Sequence, residues 1–297
     1  TQKKKISFGV TTKKGGHIQM MKKNQRTSLC MNELYAGAMG DIRRLGSKVD
    51  NTVEICNASY TLDNPTLMSI DDINRKWKSE YAIAEFLFYL GQSPKIGNMG
   101  KLATIWDQIK DENDEVESNY GCYILGNPWY QTAGELIMNP ESRRAVIPIF
   151  NVDHYEKNPK DYPCTGFIQF LIRNDKLHLI WNMRSCDVIF GLCNDMFCAS
   201  MFQQLMLNQI REHLRFLTLG TLTFNLGSLH IYERHWGLLF SDLEMLDYDG
   251  ERWELRRHCI YNKDLVKTYG YKPTDTISEM ERKKDLFIQN NIRGAIL

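Results

Sequence analysis

An α+β architecture in one domain follows from three features of this chain. Strand-like and helix-like runs are mixed without regular alternation. Its 297 residues are 43% hydrophobic and 25% charged, which supplies a core within an ordinary globular composition. No internal repeat or low-complexity linker divides it.

The elements read in order as follows. Residues 52–60 form a strand with Val53 and Ile55 on one face. Residues 71–90 form a helix, because Ile73, Trp77, Tyr81, Ala84 and Phe88 recur at three- and four-residue steps. Asp71 or Asp72 suits its first turn, and Gly91 ends it. Residues 102–110 are a short helix, and residues 145–151 a strand interrupted by Pro148. Residues 167–173 and 177–184 are paired strands joined by Asn174-Asp175-Lys176. Residues 195–214 form a helix with Phe202, Leu205, Met206 and Ile210 on one stripe. Residues 222–232 return to strand, and residues 278–290 make a charged terminal helix.

Charge and composition exclude several classes. No run approaches 18 apolar residues, so a membrane-spanning helix is not expected. The N-terminus lacks a secretory apolar segment. The eight cysteines have no close pairing, which suits reduced thiols in a cytoplasm. No CxxC, HExxH or Gly-rich phosphate loop occurs, so no metal is expected. Residues 1–32 hold eight basic side chains and no acid, against a whole-chain charge of +1, so the rest carries −7. Residues 1–32 therefore read as a basic arm, either a solvated tail or a contact for an acidic partner, and residues 33–297 as the main domain. The acidic body disfavours nucleic acid as a ligand.

Five features fit a purely structural reading poorly. Glu85 lies within Ala82-Ile83-Ala84-Glu85-Phe86-Leu87-Phe88-Tyr89-Leu90. Either it marks a narrow exposed edge, or it is desolvated, holds its proton tightly and suits acid–base work. Arg143 and Arg144 precede an apolar strand and make either a charged turn or a dianion clamp. Cys164, held by Pro163, is either a small buried hydrophobe or a nucleophile that needs a cation such as Arg184. The segment 183–195 gathers Arg184, Ser185, Asp187, Asn194 and Asp195 around an apolar centre, as a polar loop or a binding site. His230 and Tyr232 face the same way on a strand, as core residues or as a grip on one hydroxyl.

These pieces, in this order, resemble the thymidylate synthase superfamily over residues 52–239. The anchors are Glu85-Phe86-Leu87-Phe88-Tyr89-Leu90, Ile105-Trp106-Asp107, Asn119-Tyr120-Gly121, Ser142-Arg143-Arg144, Pro163-Cys164, Gln169-Phe170, Arg184-Ser185-Cys186-Asp187-Val188, Gly191-Leu192 and His230-Ile231-Tyr232. The resemblance implies a mixed sheet with flanking helices and a homodimer packed sheet to sheet. It implies a pyrimidine mononucleotide substrate and 5,10-methylenetetrahydrofolate as co-substrate. Cys164 would attack C6 of the base, and Glu85 would order water and move protons. Arg184 and Ser185 would bind the 5′-phosphate, joined by Arg143 and Arg144 of the second subunit. Tyr120 would lie beside the ring, and His230 and Tyr232 would hold the sugar hydroxyl. Trp106, Asp187 and Gly191 would line the folate pocket.

Two departures choose a branch. Synthases read Pro-Cys-His and carry Asn at the base-reading position. Here Thr165 follows Cys164, and Asp195 stands at the base-reading position. Both changes resemble the phage deoxycytidylate hydroxymethylase branch, which implies dCMP converted to 5-hydroxymethyl-dCMP. A carboxylate only accepts hydrogen bonds, so it suits the amino edge of cytosine and opposes O4 of uracil. The alternatives are CMP or dUMP as substrate, thymidylate synthesis, or a non-catalytic nucleotide- or RNA-binding relative. Ile109 replaces a Trp that synthases usually place near folate. A further phosphate-binding cation is expected before residue 52, from Arg43, Arg44 or Lys48.

Overall fold

The computed structural model describes residues 25–72 and 74–240. Seven strands form one mixed sheet: β1 (Gln25–Ser28), β2 (Ser47–Val49), β3 (Thr52–Leu62), β4 (Val146–Pro148), β5 (Thr165–Arg173), β6 (Lys176–Asp187) and β7 (Thr218–Tyr232). The main path runs β1-β3-β7-β6-β5-β4, with β2 paired to β3. β1 runs parallel to β3 and β6 parallel to β7, while the other pairings are antiparallel. The helices are α1 (Met31–Leu45), α2 (Ser79–Leu90), α3 (Met99–Leu102), α4 (Ile105–Ile109), α5 (Gly121–Ile124), α6 (Asn127–Met138), α7 (Gly191–Arg211) and α8 (Trp236–Phe240).

The sheet alternates as period-two strands should. In β7, Leu222, Phe224 and Leu226 are buried between half-buried Thr221, Thr223 and Asn225. The buried side packs on α7, which is enclosed on nearly every face and bridges β6 to β7. Trp181 stacks on Phe224 with ring centroids 5.8 Å apart, and Phe202 of α7 packs against both Phe86 of α2 and Trp181. These aromatic pairs join sheet, α7 and α2 into one core. The opposite side carries a polar ladder: Ser59 Oγ donates to Asn225 Oδ1 at 2.9 Å, and Asn225 Nδ2 donates to Asn182 Oδ1 at 3.0 Å.

Several boundaries differ from the sequence reading. The hairpin turn is only Asn174-Asp175, both at positive φ, as a tight right-twisted turn requires; Lys176 already belongs to β6. The helix expected over residues 71–90 begins at Ser79. Asp72 Oδ1 accepts the Asn74 amide and Lys76 takes φ +50°, so the acid closes a turn instead of starting the helix. Ile73 lies outside the described residues. α7 starts at Gly191, four residues earlier than expected, and ends at Arg211. The helix expected over 102–110 is the shorter α4. The strand expected over 145–151 is β4, an edge strand that ends at Pro148, where a missing donor is tolerated.

The basic arm was expected to reach residue 32, but residues 25–32 belong to the fold. β1 pairs with β3, and Arg26 meets buried Asp41 at 3.0 Å. The rest of the arm and the helix expected over 278–290 lie outside the described residues. No helix among the described residues is long and apolar enough to cross a membrane.

Candidate active site

Cys164 stands immediately before β5, half-buried. A bulge between Thr165 and Phe167 breaks the β5–β6 register there and re-aims the strand entrance. Arg184 of β6 fixes the same loop: its amide donates to Cys164 O at 2.8 Å, its Nη2 to Tyr162 O at 2.7 Å and its Nε to Pro163 O at 3.2 Å. The guanidinium remains exposed and makes no ion pair among the described residues. Burial pushes the Cys164 thiol up to about 11, the Arg184 charge opposes this, and Asp195 and Asp161 add to it. Asp161 is itself buried and tied to the Ser118 amide and hydroxyl.

Tyr120 enters beside the thiol. Its ring stacks on Tyr89 at 5.3 Å, and Cys164 is its largest electrostatic neighbour after burial. This packing needs Gly121, because a Cβ there would stand 1.7 Å from Tyr89 O. Thr165, where synthases have His, is fully buried and accepts from Trp181 Nε1 at 2.8 Å.

Glu85 is buried, so the exposed-edge alternative is excluded. It lies four residues beyond Tyr81 on α2, hence on the same face. The Tyr81 hydroxyl donates to Glu85 Oε1 at 3.2 Å and accepts from Trp106 Nε1 at 3.0 Å. Glu85 Oε2 is buried without a hydrogen-bond partner. Asp195 comes from the first turns of α7, where Gly191 makes room: a Cβ at 191 would lie 3.2 Å from Asp195 Oδ2. Desolvation raises both carboxyls; Asp195 raises Glu85 further, and Asp187 raises Asp195. Two acids close together in one enclosure cannot both ionise freely, so they titrate as a pair.

The ends of β6 and β7 complete the cleft. His230 and Tyr232 share a face, with perpendicular rings 5.1 Å apart. Asp187 lies in register with His230 and accepts the Ile189 amide at 2.9 Å. Burial lowers the His230 imidazole and Asp187 opposes this. Ser185 is half-buried, opposite Ser228. Tyr232 is raised by burial, by Asp187 and slightly by Cys164, while Arg234 and Arg184 oppose this.

Arg143 and Arg144 are not brought to that cleft. Ala145 O accepts the Phe170 amide, so they lie six residues along β5 from Cys164, about 20 Å away. Both are exposed and free of ion pairs among the described residues. Of the basic residues before Thr52, Arg44 is paired with Asp41 at 2.9 Å, Lys48 lies over the Trp236 ring, and Arg43 is exposed.

A cavity of about 340 Å3 opens beside Tyr81, walled by Trp77, Leu102, Ala103, Ile105, Phe190 and Asn194 and rimmed by Arg75, Lys76 and Lys78. Sequence reasoning singled out neither the cation rim nor Tyr81. Arg75 Nε donates to Ile189 O at 2.9 Å and its guanidinium lies over Phe190. Trp77 Nε1 donates to Asn194 Oδ1 at 2.9 Å. The clue was the run Arg75-Lys76-Trp77-Lys78, cations around one aromatic, which looks like a helix face when read by period. Among the described residues no group of three or more His, Cys, Asp or Glu could hold a metal ion.

Comparison with known proteins places this geometry in context. The family model described as thymidylate synthase matches residues 43–280. Deoxycytidylate 5-hydroxymethyltransferase of Enterobacteria phage T4 is 32% identical over 235 residues, covering 74% of this chain and 87% of that protein. The phage T2 protein of the same name is 31% identical over 223 residues, covering 67% and 86%. Thymidylate synthase 1 of Bacillus spizizenii is 26% identical over 244 residues, covering 76% and 84%. Among solved structures, thermostable thymidylate synthase A from Bacillus subtilis superposes with a TM-score of 0.60 at 22% identity, over 74% of this chain and 86% of that one.

Proposed function

The chain belongs to the thymidylate synthase family, and from that membership we propose that it hydroxymethylates dCMP at C5 with 5,10-methylenetetrahydrofolate as co-substrate. The observation that carries the choice of base is Asp195, a half-buried carboxyl that acts electrostatically on both Cys164 and Glu85.

The apolar cavity walls and three rim cations suit a planar heterocycle with an anionic tail, so the residues present fit the folate. The family resemblance assigns Trp106, Asp187 and Gly191 to the folate, and the chain neighbours Ile105 and Phe190 line this cavity. When bound, the folate supplies one carbon at the oxidation level of formaldehyde.

The chain's own groups do the rest. The Cys164 sulfur adds to C6 of the pyrimidine, and charge moves through the ring to N3. Asp195, which holds its proton more tightly than an ordinary carboxyl, gives that proton to N3 while accepting from the N4 amino group. This match strengthens as the adduct forms, which is the useful kind of binding. Once that proton is on N3 the carboxylate only accepts, from N3–H and N4–H, whereas O4 of uracil needs a donor, which an Asn amide keeps. Glu85, with one oxygen unpartnered, takes the C5 proton and orders the water that adds to the exocyclic methylene; as that C–O bond forms, the C6–S bond breaks, which restores the ring and returns Cys164. Arg184 and Ser185 hold the 5′-phosphate, and His230 and Tyr232 hold the sugar. Arg143 and Arg144 serve the phosphate of a neighbouring subunit, because they are exposed and lie far along β5 from their own cleft. The polar ladder face of the sheet, with exposed Phe167 and Val146 beside it, is where that subunit packs.

The test compares kcat/KM for dCMP and dUMP in the intact chain and in Asp195→Asn. The intact chain favours dCMP, and the substitution shifts the ratio toward dUMP by at least about 100-fold. An unaltered ratio would remove Asp195 from base reading.

A further inference from the structure

Tyr81 lines the cation-rimmed cavity and also touches Glu85, so one side chain joins the cavity wall to the buried acid. Its hydrogen-bond roles are fixed by chemistry. Trp106 Nε1 can only donate, so the Tyr81 oxygen accepts from it at 3.0 Å and the hydroxyl proton goes to Glu85 Oε1 at 3.2 Å. Glu85 Oε2 is left buried and unpartnered. A buried oxygen without a partner is costly, and it persists where function uses it.

We propose that Tyr81 is a positioning residue of this active site: clamped by Trp106, it holds Glu85 by Oε1 and turns Oε2 toward the reacting ring and its water. The inference deepens the hydroxymethylase reading and rests on Glu85 handling protons there. Asp195 from α7 also acts on Glu85, and the Glu85 charge in turn raises Cys198 of α7 and Tyr89 of its own helix. Asp195 repels the ionised form. Cys198 has its thiol directed at Ala82 O, and burial raises it well above the usual thiol range. Burial likewise raises the Tyr89 hydroxyl. Among the described residues, the group that favours the Glu85 carboxylate by hydrogen bonding is therefore Tyr81.

The experiment is a carbon-13 NMR titration of the full chain labelled at glutamate carboxyl carbons, with the Glu85 signal identified by its loss in Glu85→Gln. In Tyr81→Phe the Glu85 midpoint moves to higher pH by about one unit or more, because a charge-assisted bond to the ionised form is gone. Trp106→Phe, which frees the tyrosine hydroxyl, moves it the same way by less and decides the question if Tyr81→Phe does not fold. An unmoved midpoint in the folded variant overturns the proposal, whatever the turnover. In the same chains the acid limb of the dCMP turnover profile follows the NMR midpoint upward. A moved midpoint without any dCMP turnover in the intact chain would sink the hydroxymethylase reading and leave the positioning role standing. Turnover with an unmoved midpoint would do the reverse.

Discussion

Glu85 is a costly residue to fold around. Its carboxyl is raised by burial and then by Asp195, so the folded chain holds the proton more tightly than the unfolded chain does. The sign follows: this protonated group supports the fold in acid, and the support is lost as pH rises from the ordinary carboxylate range toward the raised folded value. Glu85→Gln should therefore melt at higher temperature than the intact chain near neutral pH and above, with the difference vanishing near pH 4. Calorimetric melting across pH reads this, and a difference constant with pH would contradict it. The sequence made Glu85 legible as a carboxylate among apolar neighbours, and it made Cys164 and Asp195 legible through the motifs that resemble the family, Pro163-Cys164 and residues 183–195. Tyr81 and Trp77 sit on a regular apolar stripe, and their roles lie in hydrogen bonds with Trp106 and Asn194, 25 and 117 residues away in the chain. Pattern reading has no access to such pairs.

Among the elements, β5 and β6 were readable from alternation and β7 from its length of apolar pleat. α1 and α6 went unread although each carries the signal: Leu34, Tyr35, Ala38, Met39 and Ile42 step along α1, and Pro128 opens α6. β1 is only four residues long, and it is held by tertiary contacts. Asp41 is buried and accepts from Arg26, Arg44 and the Tyr60 hydroxyl, which ties β1, α1 and β3 together. Arg26→Ala removes one of three partners, so it should cost about 1–3 kcal/mol in urea unfolding. A loss below about 0.5 kcal/mol would mean that β1 is an accessory strand.

In the whole molecule, the arginine pair and the thiol sit at opposite ends of β5, which one chain cannot reconcile with a shared phosphate. A second copy resolves this if it packs on the polar sheet face. Arg143→Ala/Arg144→Ala and Cys164→Ser chains should each be inactive alone. Mixed after brief dissociation, they should regain part of the intact activity, because one mixed site has both the thiol and the arginines. No recovery in a mixed dimer would place the arginines elsewhere. Chemistry itself is decided by the nucleotide recovered after the intact chain is incubated with 5,10-methylenetetrahydrofolate and dCMP, CMP or dUMP. Mass analysis should find dCMP carrying one added hydroxymethyl group, with tetrahydrofolate and no dihydrofolate formed. Unchanged dCMP beside methylated dUMP would contradict the reading of Asp195 and of everything built on it.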